Sequence, residues 1–102
     1  MQPSTPHDQT IIDLIRHDAD FADVYLTTAF EESGEHGGRE ALLSALRHIA
    51  EAQGMALVAE RAGIKRETLY RALSPKGNPT IKTVLAITKA VGLKLTAQRG
   101  GY

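Results

Sequence analysis

Cysteine is absent from this chain of 102 residues. Without thiols, neither disulfides nor thiolate metal sites hold the fold together, so packing must stabilise it and we expect a reducing, cytoplasmic environment. Long apolar runs are absent too, since none approaches the roughly 18 residues of a membrane-spanning helix. The first ten residues, MQPSTPHDQT, lack the basic and apolar regions of a secretory signal. The length and a hydrophobic content of 42% indicate one compact domain.

Sequence patterns for catalysis and metal binding are also missing. The chain has no Cys–His pair, no GxSxG elbow and no phosphate-cradling glycine loop, so no motif is present to carry catalysis or to hold a cofactor. Among the four histidines, His17 has the spacing of a ligand pair, four residues after Asp13. Two ligands are a weak match to a metal site. We therefore expect no enzyme, no cofactor and no metal site.

Acidic residues almost disappear from the C-terminal part of the chain. After Glu60, Glu67 is the single acid against nine Lys or Arg, a net charge of +8. Residues 1–60 hold 11 Asp or Glu against three Arg, a net charge of −8. Halves of opposite charge indicate two partners of opposite charge. The alternative is that one half neutralises the other within the fold.

The spacing of apolar residues predicts three longer helices. The first is capped by Asp18 or Asp20 and ends at residues 33–34, and the second spans residues 39–53. The third follows Thr80, a good helix cap, and stops at Gly92. The residues of this third helix that are predicted to share a face are Ile81, Val84, Leu85, Thr88 and Val91.

The N-terminal stretch up to His17 has two interpretations. In the first, Thr5-Pro6 begins a short helix, because proline is favoured in the first turn. In the second, the first ten residues are disordered, as chain termini often are. The apolar residues available to bury such a helix are Ile11, Ile12, Leu14 and Ile15.

The apolar period changes from 3.6 to 2 after Gly92. Leu93, Leu95 and Ala97 alternate with polar residues, which is the pattern of a short half-buried strand. A lone strand leaves backbone groups unpaired, and the same strand of a second copy satisfies them. We therefore predict a homodimer joined through this strand. The alternative is a frayed tail.

Residues 55–73, MALVAERAGIKRETLYRAL, predict two short helices joined at Gly63. The expected inward residues are Val58, Ala59, Ala62, Ile64, Leu69, Ala72 and Leu73. This is the spacing of a helix-turn-helix, whose second helix enters the major groove of DNA. The alternative is a plain helical hairpin with a solvated basic face. The scarcity of acids after Glu60 favours DNA binding, because an ordinary solvated face mixes both signs.

The second of these helices presents side chains that can read bases. Arg66 and Arg71 can fork onto guanine O6 and N7, Glu67 can accept a hydrogen bond from cytosine N4, and Tyr70 lies on the same outward face. Other residues are placed to contact phosphates, together with backbone N–H groups at the start of the following helix. These predicted phosphate contacts are Lys65, Thr68, Lys76, Asn78, Thr80 and Lys82.

Residues 20–98 resemble the HigA-like, XRE-type antitoxins of the addiction-module antidote protein family. The motifs that carry the resemblance are YLTTAFEE, LRHIAEAQGM, AGIKRETLYRAL, GNPT and TVLAITKAVGLKL. The sequence departs from the family pattern at two positions. Lys65 stands where the family usually has a serine that caps the recognition helix, and Leu57 stands where a polar residue is usual.

The resemblance implies an all-α, lambda-repressor-like bundle of five to six helices, with a C-terminal β-strand that pairs across a dimer. It also implies a dimer that binds the operator of its own toxin–antitoxin operon, represses it, and neutralises a RelE/HigB-like toxin that cleaves mRNA. The helix-turn-helix domain would span residues 18–98, after a partly ordered extension at 1–17. The tail at 99–102 is either native or a cloning remnant.

The acidic half offers a surface for such a toxin. RNA-cleaving toxins are typically basic, so an acidic counter-surface is expected on the antitoxin. The residues predicted to form it are Asp20, Asp23, Glu31 and Glu32. Two rival functions share most of these features. One is a free-standing phage-like repressor with no toxin, and the other is a scaffold that binds an acidic protein through its basic half.

Overall fold

The fold in a computed structural model is described for residues 5–94, and all regular structure in that range is helical. The six helices are α1 (Pro6–His17), α2 (Ala19–Glu31), α3 (Gly38–Gln53), α4 (Met55–Ala62), α5 (Arg66–Ala72) and α6 (Ile81–Ala90). The prediction of an all-α bundle of five to six helices is therefore confirmed for this range. None of the helices described there is long and apolar enough to cross a membrane.

Helix α1 begins where the Thr5-Pro6 pair predicts a start. The Thr5 hydroxyl accepts a hydrogen bond from the Asp8 amide at 3.1 Å, and the Asp8 carboxylate accepts one from the Thr5 amide at 3.2 Å. This reciprocal capping box satisfies two amides that the helix itself leaves unpaired. Of the two interpretations of the N-terminal stretch, the structure shows the helix. It packs mainly against α3 and also against α2, with Ile12 buried.

Helix α3 is the centre of the bundle, and it contacts α1, α2 and α4. Its apolar side is buried, with Ala45, Leu46 and Ala50 fully inaccessible. Helix α4 in turn contacts α5 and α6. Fully burying a leucine stabilises a fold by about 1.5 to 3 kcal/mol. The core therefore fixes α4 and α5 against the rest of the chain, and this sets which of their faces points outward.

The buried face of α6 matches the predicted one only in part, with Val91 buried as predicted. Ile81 and Leu85 are 76% and 49% exposed, whereas Ile87 is fully buried. The helix carries two overlapping apolar stripes, and spacing alone does not say which one faces α4. Thr88 is buried as predicted, and its hydroxyl donates to the Leu85 carbonyl at 3.0 Å, so its polar atom is satisfied. The residues that actually pack inward at the end of α6 are Ile87, Thr88, Ala90 and Val91.

The predicted dimer strand lies mostly outside the described residues. Leu93 is half-buried against the core, and its amide donates to the Thr88 carbonyl at 2.9 Å. Leu95 and Ala97 lie beyond residue 94, where the description ends. The strand and the homodimer that it would form therefore stay predictions.

Candidate nucleic-acid interface

Helices α4 and α5 are joined by a tight turn at Gly63. This glycine has φ +72°, a left-handed conformation that residues with a Cβ adopt at a cost. The Gly63 amide donates to the Glu60 carbonyl at 3.1 Å, and the Ile64 amide donates to the Ala59 carbonyl at 3.0 Å. Ile64 is half-buried and packs against the core, as predicted for a residue that fills the turn. The predicted pair of short helices is therefore present.

Burial of one side of α5 leaves its charged side chains at the surface. Leu69 and Leu73 are fully buried, and Ala72 packs half-buried against the same core. Lys65, the residue before α5, has extended backbone and provides no side-chain cap, consistent with the missing serine. The exposed residues along this face are Lys65, Arg66, Glu67 and Arg71.

Tyr70 is less exposed than the charged residues around it. Its ring packs half-buried against the core, and the guanidinium carbon of Arg66 lies 5.6 Å from the ring centroid. A cation at this distance over an aromatic ring gains about 0.5 to 1 kcal/mol at an exposed site. Tyr70 therefore holds the Arg66 side chain along the outer face of α5. Thr68 is also half-buried.

The loop after α5 folds closely against the end of that helix. The Ser74 hydroxyl donates to the Arg71 carbonyl at 2.9 Å, and the Gly77 amide donates to the Ser74 carbonyl at 2.8 Å. Thr80 then caps α6 by accepting a hydrogen bond from the Thr83 amide at 3.1 Å. The predicted phosphate contacts in this region are all exposed, namely Lys76, Asn78, Thr80 and Lys82.

A side chain from the acidic half reaches this loop. Arg39, in the first turn of α3, donates from Nη2 to the Gly77 carbonyl and, at 3.4 Å, to Oδ1 of Asn78. Sequence reasoning missed this contact, because the partners are 38 and 39 residues apart. The sequence contains one indication of this contact. A cation in the first turn of a helix is unfavourable because it faces the positive end of the helix dipole, so Arg39 at this position indicates an interaction outside its own helix.

Gly77 has a steric role that substitution can test. It is buried, and a Cβ there would overlap the carbonyl oxygen of Ala72, whereas a Cβ at Gly34 would meet nothing within 4 Å. We expect G77A to lower the free energy of unfolding by about 1 to 3 kcal/mol, since backbone atoms must shift. Urea denaturation measures this change, with G34A as the control. A G77A variant as stable as G34A would contradict the close approach.

The structure shows no direct ion pair between the two charged halves within residues 5–94. The ion pairs found there join residues from the first 60. None of them links these acids to the cations that follow Glu60. The pairs are Arg16–Asp13, Arg39–Glu40, Arg47–Asp8, Arg47–Glu51 and His48–Asp8.

Sequence comparison supplies the family. The profile of the family described as "Probable addiction module antidote protein" matches residues 5–99. This chain belongs to that family. An uncharacterized protein of Haemophilus influenzae is similar to this chain, with 48% identity over 63 residues, 62% of the chain and 65% of that protein. The chain thus spans just under two thirds of this relative's length. No solved structure matches the chain.

The acidic surface predicted to bind a toxin is exposed in the structure. The predicted residues Asp20, Asp23 and Glu31 lie on α2 and are exposed, and Glu32 is the residue at its C-terminal end. Val24, between them on α2, is 66% exposed. Among the described residues, none of these four acids takes part in an ion pair.

A buried polar network joins the first three helices, and sequence reasoning missed it. His48 is 2% exposed. Its Nε2 lies 2.7 Å from the Asp8 carboxylate, and its Nδ1 lies 2.7 Å from the Tyr25 hydroxyl. Because an ionised carboxylate only accepts hydrogen bonds, Nε2 must carry a proton. The alternation of polar and apolar residues gave no sign of this network, since its members come from α1, α2 and α3.

The network changes the acidity of two groups. The hydrogen bond from His48 is the main cause that lowers the pKa of Asp8 to about 2, and bonds from Thr5 add to it while burial opposes it. Burial raises the pKa of Tyr25, an effect that Arg47 opposes and Asp8 reinforces. The carboxylate therefore stays ionised and the phenol stays protonated near neutral pH.

The pair that resembled metal ligands is hydrogen-bonded in another way. His17 Nδ1 lies 2.7 Å from the Asp13 backbone carbonyl, and the Asp13 carboxylate accepts a bond from Gln9 at 3.4 Å. Within residues 5–94, no group of three or more His, Cys, Asp or Glu side chains is placed to hold a metal ion. These contacts suit the end of a surface helix.

Proposed function

We propose that this antidote is the DNA-binding antitoxin of a type II toxin–antitoxin module, of the HigA-like, XRE type. In this proposal a homodimer binds the operator of its own operon through α5 and represses it, and the same protein neutralises a RelE/HigB-like mRNA-cleaving toxin. The role is binding, with no catalytic step. The exposed cationic face of α5, which lacks acidic partners within the described fold, carries the proposal.

The proposed reading of bases uses the outer face of α5. A helix fits the major groove of B-DNA, and residues toward its N-terminus contact the base edges. Arg66 and Arg71 would fork onto guanine, and Glu67 would accept from cytosine. Tyr70 would support Arg66 and contact a base edge with the exposed part of its ring. Each bidentate contact would discriminate between bases by about 1 to 3 kcal/mol.

The proposed phosphate contacts surround this helix. Lys65 and Thr68 flank the start of α5, while Lys76 and Asn78 come from the loop that follows. The start of α6 adds its free backbone amides beside Lys82, and helix N-termini favour phosphate in this way. Such contacts orient the protein on DNA and make binding depend on salt.

The dimer in the proposal has additional support from α6. Ile81 and Leu85 lie four residues apart on one side of this helix and are 76% and 49% exposed. Large apolar side chains clustered at a surface favour contact with another protein. They precede the strand predicted from Leu93, Leu95 and Ala97. A dimer that binds two half-sites one turn of DNA apart would need its two recognition helices about 34 to 36 Å apart.

One experiment separates this function from its rivals. The antidote is co-expressed with the product of the adjacent gene, purified as a complex, and footprinted on the intergenic DNA. We expect a stable complex and protection of two half-sites. Protection without a co-purifying partner would instead indicate a free-standing repressor, and absence of protection would indicate a scaffold that binds an acidic protein.

The acidic residues of α2 are proposed to bind the toxin. Asp20, Asp23 and Glu31 present unpaired negative charge around the exposed Val24, and a basic RNA-binding surface would complement it. We expect the triple variant D20N/D23N/E31Q to bind the toxin about tenfold more weakly, since rim charges contribute modestly and mainly to the association rate. Calorimetry or surface plasmon resonance measures this affinity.

The same triple variant provides its own control. The ratio of its affinities for operator DNA and a scrambled duplex is expected to equal that of the wild-type protein, because α5 is unchanged. An unchanged toxin affinity would place the toxin elsewhere on the antidote. An equal loss of toxin binding and operator preference would mean that the variant is misfolded.

A further inference from the structure

We propose that Arg39 is a positioning residue for DNA binding: it anchors the loop of residues 74–80 so that the loop meets phosphate in a preset conformation. The inference rests on the proposed function. The inference extends the proposed function, because Arg39 lies in the acidic half and outside every segment expected to contact DNA. The contact from Arg39 to Gly77 and Asn78 carries the inference.

Arg39 binds the part of the loop that is already held by a hydrogen bond within the loop. Gly77 is buried against the end of α5, and its amide donates to the Ser74 carbonyl. The Gly77 carbonyl accepts the bond from Arg39. The loop is thus held on both sides of the Gly77 Cα, through the amide and through the carbonyl of this residue. A hydrogen bond that involves a charged donor is about twice as strong as a neutral one.

The same guanidinium fixes the orientation of the Asn78 side chain. A guanidinium has only donors, so the atom of Asn78 that faces it must be the acceptor Oδ1. The Asn78 amide nitrogen, with two donors, then points away from Arg39 and makes no hydrogen bond within residues 5–94. Asn78 lies between Lys76 and Thr80, both exposed. Arg39 therefore turns the donor side of Asn78 outward among the predicted phosphate contacts.

The location of Arg39 argues against a purely stabilising role. A cation in the first turn of α3 faces the positive end of the helix dipole, which is unfavourable. Its ion pair with Glu40 is 3.7 Å long, and both side chains are about half exposed, 48% and 53%. Exposed pairs of this kind contribute little to stability. The contact with the loop is the interaction that this placement makes possible.

The chain offers a matched control at Arg16. This arginine is also about half exposed, pairs with an acid at 3.8 Å, and donates to the backbone carbonyls of Ala52 and Glu51 at 3.1 and 3.3 Å. It lies on α1 and contacts the end of α3. R16Q and R39Q therefore remove the same charge and the same kind of hydrogen bond, and only R39Q acts on the loop.

The experiment measures the affinity of the full chain for its intergenic DNA by fluorescence anisotropy, for wild type, R39Q, R16Q, N78A and R39Q/N78A. We expect R39Q to weaken binding about tenfold and R16Q to change it less than twofold, because Arg39 bonds to the loop that would meet phosphate, whereas Arg16 bonds to the end of α3. We also expect R39Q and N78A to be non-additive, since Arg39 acts through Asn78. The unfolding free energies of R39Q and R16Q should fall equally.

Two results would overturn the inference. One is an equal effect of R39Q and R16Q on DNA affinity. The other is that the effects of R39Q and N78A on DNA affinity are additive and that R39Q also lowers, by about 0.9, the steepness with which log K falls against the logarithm of the salt concentration. This result would make Arg39 itself a phosphate contact. If wild type shows no preference for the intergenic DNA, the proposed function fails instead. The contact between Arg39 and the loop is then still testable, because R39Q should shift the NMR resonances of the Gly77 amide and the Asn78 side-chain amide.

Discussion

The double variant R66A/R71A is expected to bind operator DNA about hundredfold more weakly than the wild-type protein. Each arginine would make a bidentate contact with guanine worth about 1 to 3 kcal/mol, so the two together contribute about 2 to 6 kcal/mol, a range that includes the roughly 2.7 kcal/mol of a hundredfold change. Both residues are exposed on α5, so their removal leaves the buried Leu69 and Leu73 untouched. The fold should therefore survive while specific binding is lost.

The control for this variant is K89A/K94A, which removes two other exposed cations from the basic half. Neither lysine is among the predicted DNA contacts, so K89A/K94A should lose less than about fivefold in affinity through long-range electrostatics alone. Fluorescence anisotropy on operator and scrambled duplexes gives both values. Equal losses for the two double variants would show that α5 supplies charge without reading bases.

The single variant H48A is expected to lower the free energy of unfolding by about 2 to 4 kcal/mol. His48 is almost fully buried, and its loss leaves a cavity between helices. It also leaves the Tyr25 hydroxyl without its histidine partner and removes a bond from the Asp8 carboxylate. The control is H17A, which removes an exposed histidine at the end of α1 and should change stability by less than about 0.5 kcal/mol.

The same network gives stability a defined dependence on pH. The pKa of Asp8 is about 2 in the folded protein, against an ordinary value of 3.8. Because the folded-state pKa is depressed, the stabilisation is fully present above pH 3.8 and is lost as the pH falls toward 2. The shift corresponds to about 2 kcal/mol, and screening at this side chain, 21% exposed, reduces it to about 1 kcal/mol.

Denaturation of wild type, H48A and D8N between pH 2 and 7 separates these contributions. H48A should lose most of the acid dependence that wild type shows between about pH 4 and pH 2, since the bond from His48 is the largest cause of the Asp8 shift. D8N carries no titrating group at this position and should also show a flatter profile. If wild type and H48A have parallel profiles, Asp8 does not couple to His48.

Local features of this fold were predictable from sequence because their causes are local. A cap such as Thr80, the left-handed turn at Gly63 and the buried Leu69 each depend on neighbours within a few residues. From these features follow the bounds of α5 and the outward direction of its arginines. The same logic was insufficient for α6, where two apolar stripes overlap and only packing against α4 selects the buried one.

Two tertiary contacts depended on distant residues and escaped prediction. Arg39 meets Gly77 across 38 positions, and His48 meets Asp8 across 40. Nothing in the spacing of either segment indicates its partner, because tertiary packing brings the helices together. Charge segregation was visible in the sequence, yet only the structure could show that no ion pair crosses between the halves in residues 5–94.

The most direct test of DNA recognition by α5 is the salt dependence of binding to two duplexes. The affinity of the wild-type antidote is measured by anisotropy for its intergenic DNA and for a scrambled duplex, from about 50 to 200 mM salt. The predicted result is tighter binding to the intergenic DNA at every salt concentration. A plot of the logarithm of the association constant against the logarithm of the salt concentration should be linear, with a negative slope of about 0.9 for each phosphate contacted. Equal affinity for the two duplexes, or affinity independent of salt, would contradict the assignment of α5 as the recognition helix.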